Sequence, residues 1–492
     1  MAIKRPILFA GAGIMLLSFF LKLNFGFFLA LAVAFLILTL ALSFIFKKQR
    51  LQIILVAFAF LAFVFVGSFA NGNVNFARQN ADKNGKIVVA VTGVNKSKHG
   101  YWATGNLKCL NGKGLAGVKI SLYVGENPNG VERGDKITAT ADLSMTDNNN
   151  HSFSQNIYLQ GFSVNITDHK KCANPLEFAM GKLQNTVRKT VTNNLSGRTA
   201  QFVLAVIVGD TAGIDDETYL NMQISGILHM IVVSGTHFTT VLAAVMFFAR
   251  RLFPKRKAKG VVSLFVILFI MLFCGFSMPV VRSGIAYLIL TMGIFMDREG
   301  DSLCALAAAT VIILFVCPYG AYSVSLLLTL SATFGILVLT PIINDLTKAD
   351  KLRHKKAIYD VVNVIIVSLS ANITTLPILM YTFDRVSLVS LLANLLINYS
   401  VSAVLVFALC AVVSPFTFLS KPLFLISGLL SNYSLWAIDF CANLPLSSLT
   451  VDGKKMSAVT VMLYAVAALI YFVFIKGKKR GLTPTPHKAV FP

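Results

Sequence analysis

The alternation of apolar and polar stretches divides the chain into three parts. Apolar runs fill most of residues 1–70, a polar stretch follows at 71–185, and further apolar runs occupy about 199–475. Each run has roughly the 17–25 residues that a helix needs to cross a bilayer. The pattern predicts a polytopic α-helical membrane protein of about 11–12 spans. The runs lie near 7–23, 26–46, 51–70, 218–249, 261–277, 280–296, 303–318, 321–342, 357–381, 386–413, 417–444 and 457–475.

The polar stretch predicts a different kind of structure. Short β-favouring runs recur there, separated by turn dipeptides such as Asn111-Gly112 and Asn129-Gly130. Short strands at this spacing are typical of a small all-β barrel or sandwich, and we expect an OB-like barrel. The predicted strands lie at 86–95, 101–109, 117–124, 136–143 and 151–167.

Composition agrees with a membrane protein and adds a strong basic charge. Hydrophobic residues make up 56% of the chain, charged residues 13%, and the mean hydropathy is +0.72, whereas a soluble domain carries about 25% charged residues. The 44 Lys and Arg outnumber 21 Asp and Glu, giving a net charge of +23. Basic cytoplasmic loops explain much of this excess, and a polyanionic partner such as nucleic acid is the other explanation.

The positions of the basic loops predict the orientation. Basic clusters at 47–50, 250–259 and 348–356 separate apolar runs, and another at 476–480 follows the last run. Basic loops stay in the cytoplasm. The polar stretch is then extracytoplasmic and the C-terminus cytoplasmic. The predicted parts are N-terminal membrane helices at 1–70, an OB-like domain at 71–185, a membrane domain at 186–480 and a tail at 481–492.

The run 218–249 contains polar groups at membrane depth, where such groups often line a path or a site. Interpreted as one helix, it places Ser225, His229, Thr236 and Thr240 on one face. The pair Ser234-Gly235 favours a kink. Three interpretations stay open: lining of a polar conduit, hydrogen bonding between helices, and a catalytic pair of Ser234 with a histidine. The candidate path residues here are Asp210, His229, Ser234, Gly235, Thr236 and His237.

Two arginines and an asparagine extend this candidate path. Arg282 and Arg385 are expected at the outer ends of their spans, where they either extend their side chains to the interface or form a rim that attracts anions. Asn394 lies within a span. It is a candidate pore-lining group, and a bond to a neighbouring helix is the alternative.

The OB-like stretch also has candidate binding residues. Aromatic and basic side chains alternate there, as in OB domains that hold single-stranded nucleic acid, although aromatic residues in strands also form cores. The candidates are Lys96, Lys98, Tyr101, Trp102 and Lys108. Cys109 and Cys172 could form a disulfide in an extracytoplasmic domain.

Nucleotide-driven and metal chemistry are not predicted. The chain has no Gly-x-x-x-x-Gly-Lys-Ser/Thr motif. None of its seven histidines forms a His-x-His pair. We therefore expect no cofactor, no metal and no enzymatic activity.

Three motifs together resemble the ComEC-type competence membrane protein family. They are Val208-Gly209-Asp210 with Ile224 to His237, then Gly275 to Gly284 around Arg282, and finally Leu376-Pro377 with Phe383 to Asn394. The resemblance covers about residues 200–440. It implies a channel in the bacterial plasma (inner) membrane that imports single-stranded DNA during natural transformation.

The resemblance also implies which partners the chain needs. Many family members carry a metallo-β-lactamase-like nuclease domain with a His-x-His-x-Asp-His motif, which is not found in these 492 residues. The implied partners are single-stranded DNA, the lipid bilayer, a separate cytoplasmic motor and a separate nuclease, and an oligomer is compatible. The alternative function is transport or export of another anionic polymer or a small solute.

Overall fold

The computed structural model describes most of the chain. The described residues are 6–46, 49–97, 100–114, 117–125, 130–146, 150–209, 211, 213–228, 235–253, 255–276, 278–295, 302–347, 356–414, 417–452, 455–456 and 460. The candidates Lys98, Asp210, His229 and Ser234 lie outside these residues. So does the last predicted span, 457–475, except for Thr460.

The predicted helical membrane architecture is confirmed. Among the described residues, six helices are long and apolar enough to cross a membrane, and five further apolar helices are shorter. The helices are α1 (Pro6–Leu23), α2 (Phe25–Ile45), α3 (Arg50–Asn80), α4 (Asn150–Phe153), α5 (Pro175–Asn194), α6 (Gly197–Val208), α7 (Asp216–Ile224), α8 (Gly235–Leu252), α9 (Arg256–Phe273), α10 (Met278–Phe295), α11 (Ser302–Val316), α12 (Val324–Thr347), α13 (Lys356–Phe383), α14 (Ser390–Val413) and α15 (Thr417–Ala442).

The inserted domain is a closed barrel with OB topology. Its strands are β1 (Asn84–Ser97), β2 (Gly100–Leu110), β3 (Lys113–Gly114), β4 (Lys119–Gly125), β5 (Lys136–Met145) and β6 (Ile157–Lys170). Strand β1 pairs with both β2 and β5, while β4 and β6 pair in parallel, so the sheet closes on itself. Alternate residues face inward, as Ala103, Leu107 and Ile137 do. The predicted OB-like barrel is confirmed.

Two elements around the barrel differ from the predicted pattern. The strand expected from residue 151 begins only at Ile157, because Asn150–Phe153 form the short helix α4. After β6 the chain forms the amphipathic helix α5, which buries Val187 and Val191 against the helices and packs Gly181 against Arg133 of the barrel. The pattern of apolar runs did not predict α5, because this helix is rich in polar residues.

The prediction of one helix over 218–249 is wrong. Helix α7 ends at Ile224, and Gly226 has φ +75, a left-handed conformation that disfavours side chains with a Cβ. Ser225 follows the last turn and donates its hydroxyl hydrogen to the Asn221 carbonyl at 2.7 Å. Helix α8 begins anew at Gly235. Ser225 therefore lies at the C-terminal end of α7, whereas Thr240 lies within α8. The two residues do not share one helical face.

Candidate functional site

The break after α7 packs against the start of α14. A Cβ on Gly226 would lie 2.9 Å from the Ser390 Cβ and 3.0 Å from the Ser387 Cβ. Ser387 ends β7 (Arg385–Ser387), which pairs with β8 (Ser448–Thr450). Irregular backbone at membrane depth is tolerated where protein buries it or where it lines a cavity. The break thus places a loop and a strand end beside the first turn of α14.

A row of polar residues runs along α14 from this point, and we call it the α14 polar stripe. It consists of Ser390, Asn394, Asn398 and Ser402, each four residues after the last. Four residues turn a helix by about 400°, so the row advances about 40° per step and stays near one side. The stripe begins beside Gly226 and ends at Ser402, whose hydroxyl lies 3.5 Å from the Thr240 hydroxyl of α8.

The polar groups at the start of the stripe are only partly satisfied. The Asn372 amide of α13 donates to the Ser390 hydroxyl at 3.2 Å. Among the described residues, the buried Asn394 Oδ1 and Ser387 Oγ atoms have no hydrogen-bond partner. A buried polar atom without a partner costs free energy, about 1–3 kcal/mol. The arrangement is therefore suited to bind a further polar group or water.

Helix α8 lies between α10 and α14. On one side Phe238 stacks on Tyr287 of α10 at 6.0 Å between ring centroids, and Thr239 hydrogen-bonds to the same tyrosine. On the other side Thr240 approaches Ser402. His237 is buried, with 5% of its surface exposed. Of Gly235 and Thr236, the structure describes the backbone, which forms the first turn of α8.

Arg282 is not at an exposed mouth. It lies on α10 with 7% of its surface exposed. Its guanidinium donates to the backbone carbonyl and the hydroxyl of Ser325, at the start of α12. Its Nε has no hydrogen-bond partner among the described residues. Burial inside the helix bundle replaces the predicted position at the interface.

Arg385 has different surroundings. It is half-buried in β7, and its backbone pairs with Thr450 of β8. The predicted pair of rim arginines thus becomes one buried cation inside the bundle and one residue in a two-stranded sheet.

The membrane domain also contains a second polar contact, which we call the α12–α13 seam. The Ser331 hydroxyl donates to the Thr374 carbonyl at 2.5 Å, and the Thr374 hydroxyl donates back to the Ser331 carbonyl at 2.8 Å. The Thr340 and Ser370 hydroxyls are 3.0 Å apart. Here hydroxyl groups of two helices satisfy one another, as expected of structural bonds between membrane helices.

The barrel presents a partly exposed aromatic cluster, in which Trp102 and Tyr123 are half-buried. Trp102 on β2 lies opposite Tyr123 on β4, with ring centroids 5.4 Å apart, and meets Phe162 of β6 edge-on at 5.7 Å. Phe162 is 39% exposed. Such a face can stack on the bases of a nucleic-acid strand.

The other candidates of the barrel have mixed positions. Lys108 is exposed on β2, and Tyr101 is half-buried at the start of that strand, opposite Lys96 in the β1–β2 pairing. Tyr158, by contrast, belongs to the core with 1% exposure. Burial raises the pKa of its phenol, so the group stays neutral.

The structure does not bring Cys109 and Cys172 together. Both are free thiols. Across one side of the barrel wall, Cys109 of β2 is opposite Val88 of β1, which is opposite Thr138 of β5, which is opposite Asp168 of β6. Cys172 lies beyond β6, so strands β1 and β5 separate the two residues on this side, and β4 separates their strands on the other. A disulfide needs Cα atoms about 4.4–6.8 Å apart, so the suggested pairing is absent.

Two residues of this site, Asn372 and Ser390, were not predicted from the sequence, although the spacing of four from Ser390 to Ser402 is visible there. Ser387 entered the sequence analysis only as part of the third motif. Within the described residues, no group of three or more His, Cys, Asp or Glu is placed to hold a metal ion.

Comparison with known proteins gives two matches. The family model described as "Competence protein" matches residues 206–478. ComE operon protein 3 of Bacillus subtilis (strain 168) is 26% identical over 256 residues, which are 51% of this chain and 31% of that protein. The match therefore spans less than a third of the relative's length. No solved structure matches the chain significantly.

Proposed function

Since the chain belongs to the competence protein family, we propose that it forms a membrane channel for the import of single-stranded DNA in natural transformation. The observation that carries this proposal is the α14 polar stripe beside the Gly226 break. Its Asn394 carbonyl oxygen is buried without a partner among the described residues. The N–H groups of bases in a strand passing along α14 would donate the missing hydrogen bond to this oxygen.

The barrel is the proposed entry surface. Trp102, Tyr123 and Phe162 form an aromatic platform, and Lys108 on the same strand as Trp102 is exposed. Aromatic stacking and cationic contacts together hold single strands with little sequence preference. Uptake of DNA of any sequence requires this kind of recognition.

We further propose that the barrel lies outside the plasma membrane and the basic loops lie in the cytoplasm. The barrel contacts Phe273 at the end of α9, while the cluster Lys255, Arg256 and Lys257 begins that helix. The eighteen residues of this helix separate its two ends by about 27 Å at 1.5 Å per residue. Basic residues at the end opposite the barrel agree with the positive-inside rule.

The proposal assigns two steps to other proteins. A separate cytoplasmic motor would pull the strand, and a separate nuclease would degrade its complement. Neither a P-loop motif nor a His-x-His-x-Asp-His motif occurs in the 492 residues. Within the channel, the buried Arg282 would attract phosphates. Its guanidinium donates to the carbonyl and hydroxyl of Ser325, which are neutral groups and do not compensate its positive charge.

The test replaces Asn394 with Leu in cells and measures the import of labelled DNA, scored separately from recombination. We expect import to fall by about tenfold, since the strand loses a hydrogen-bonding group of the stripe, while the amount of protein in the membrane is unchanged. Thr340→Val in the α12–α13 seam is the control, because it also removes one polar group from a membrane helix and should leave import intact. Normal import by the Asn394→Leu protein would contradict the channel path.

A binding measurement separates the channel from the alternative transporter. The purified full-length protein should bind single-stranded DNA with an affinity that falls steeply as salt rises, because phosphate contacts release counterions. A weak affinity that does not depend on salt would favour transport of a small solute.

A further inference from the structure

The barrel is attached to the membrane helices by a buried arginine. Arg133 lies in the segment between β4 and β5 and is 7% exposed. Its Nε donates to the Glu177 carboxylate of α5 at 2.6 Å, and its Nη2 is 2.5 Å from the same oxygen. The guanidinium also reaches the end of α9, where Nη2 donates to the Leu272 carbonyl at 2.8 Å and Nη1 to the Phe273 carbonyl at 3.2 Å.

These contacts satisfy the end of a helix. The last carbonyl groups of a helix have no partner within it, and a cation there also interacts favourably with the helix dipole. Gln184 of α5 donates to the Phe273 carbonyl as well, at 2.6 Å. The carboxylate of Glu177 neutralises the charge of Arg133, and this ion pair offsets part of the free-energy cost of burying the guanidinium.

The segment that carries Arg133 is itself held firmly. Asp135 is 1% exposed and accepts hydrogen bonds from the backbone N–H groups of Glu132 and Cys172, at 2.9 and 3.0 Å. Its carboxylate also pairs with His169 at 2.8 Å. A Cβ on Gly134 would lie 2.5 Å from the Phe178 backbone nitrogen, so the segment fits tightly on α5. These contacts therefore fix the position of Arg133 relative to the barrel and to α5.

The helix end that Arg133 holds leads directly to Arg282. After Phe273 the chain turns through Gly275 and Phe276, both in the left-handed region with φ +75 and +54, and α10 then begins. The ideal Cβ position of Gly275 is 3.6 Å from the Arg133 Nη1 atom. The arginine thus contacts both the end of α9 and the turn that sets the start of α10.

We propose that Arg133 is a positioning residue that holds the aromatic platform of the barrel in fixed register with the α9–α10 turn. In this arrangement the barrel is a fixed entry platform and not a lid that swings away. The part of the proposal that concerns DNA transfer rests on the proposed channel function. The contacts of Arg133 with Glu177, Leu272 and Phe273, which we call the clamp, do not depend on that function. The clamp and the channel can therefore be tested separately.

The test compares Arg133→Gln with Lys136→Gln in the full-length protein. Lys136 begins β5 on the same barrel and is exposed, so its substitution removes the same charge without touching the clamp. We expect hydrogen exchange at the amides of residues 272–276 to speed up about tenfold or more in Arg133→Gln, with the barrel strands unchanged. In cells, DNA import should fall by roughly tenfold while binding of single-stranded DNA by the purified protein stays within about twofold.

The outcomes separate the clamp from the channel. Unchanged exchange at 272–276 would overturn the clamp, whatever the protein transports. Faster exchange with normal import would overturn the positioning role. Absence of import by the unsubstituted protein would count against the proposed function, while the exchange result would still decide the clamp. If Arg133→Gln fails to fold, Gln184→Ala removes a single donor to Phe273 and should give the same effects at smaller size.

Discussion

The α14 polar stripe and the α12–α13 seam have similar chemistry and different states of hydrogen bonding. Both place hydroxyl or amide groups on apolar helices. In the seam, Ser331 and Thr374 bond each other reciprocally and Thr340 meets Ser370. In the stripe, Asn394 has an oxygen without a partner among the described residues. Polar residues in a membrane helix therefore do not identify a path by themselves. The completeness of their bonding separates a structural contact from a candidate binding surface.

The largest expected effect tests the backbone break at the start of the stripe. Gly226→Ala should lower the free energy of unfolding by about 3 kcal/mol, of which about 1–2 kcal/mol comes from the left-handed φ and the rest from crowding against Ser387 and Ser390. Gly275→Ala is the matched control, since it has the same φ of +75 but meets only ordinary contacts. Thermal unfolding in detergent measures both. Equal losses would show that the packing against α14 is not tight.

The next effect tests the closeness of the seam. Gly335→Ala would place a Cβ 2.5 Å from the Ser370 carbonyl oxygen of α13, so the helices must separate. We expect a loss of about 1–3 kcal/mol and a lower thermal midpoint. Gly72→Ala in α3 meets nothing within 4 Å and should raise the free energy of unfolding by about 0.5–1 kcal/mol, because Ala favours a helix interior over Gly. If Gly335→Ala raises the thermal midpoint as Gly72→Ala does, the seam is not closely packed.

A smaller effect on the free energy of unfolding distinguishes the polar groups of the seam, which have hydrogen-bond partners, from Asn394 of the stripe. A double-mutant cycle of Thr340→Val and Ser370→Ala should give a coupling of about 0.6 kcal/mol, the usual size for a hydrogen bond between membrane helices. Asn394→Ala should leave the free energy of unfolding unchanged or raise it slightly, because no partner loses a bond. A loss of more than about 1 kcal/mol in Asn394→Ala would mean that the stripe is structural after all.

The smallest expected effect concerns the cap of α7, the helix that leads into the break. Burial opposes ionisation of Asp215, but hydrogen bonds from the Thr218 backbone and hydroxyl, with Arg198 nearby, lower its pKa overall. A lowered pKa in the folded state means that the stabilisation is present above the unfolded pKa of about 3.9 and is lost as pH falls through the folded value.

The measurement for this cap is the thermal midpoint as a function of pH. The side chain is about half exposed, so solvent screening keeps the effect to a few tenths of a kcal/mol, about the lower end for a helix cap. Asp215→Asn keeps an oxygen that can cap the helix but cannot ionise. We therefore expect the substitution to abolish the part of the decrease in the thermal midpoint below about pH 4 that is due to Asp215. Identical pH dependence in both proteins would show that Asp215 does not contribute to it.

Much of the fold could be predicted from local patterns. The apolar runs predicted membrane helices, and short β-favouring runs with turn dipeptides predicted the OB-like barrel. Motifs around Gly209, Arg282 and Asn394 led to the family that the comparison shows. The single helix over 218–249 was wrong, because a glycine with positive φ follows the end of α7. Whether Cys109 and Cys172 pair was left open by the sequence, and both are free thiols in the structure.

The sequence by itself determined that this chain spans a membrane, carries an inserted barrel and belongs to its family, because apolar periodicity and motifs are local properties. Only the tertiary structure decided which polar groups have hydrogen-bond partners. The Thr374 hydroxyl donates to Ser331, which lies 43 residues away in the chain, whereas the Asn394 Oδ1 atom has no partner among the described residues. The tertiary structure also buried Arg282 and joined Arg133 to Phe273, 140 positions away. Hydrogen-bond partners and burial depend on which helices pack together, and that packing brings together residues far apart in the chain.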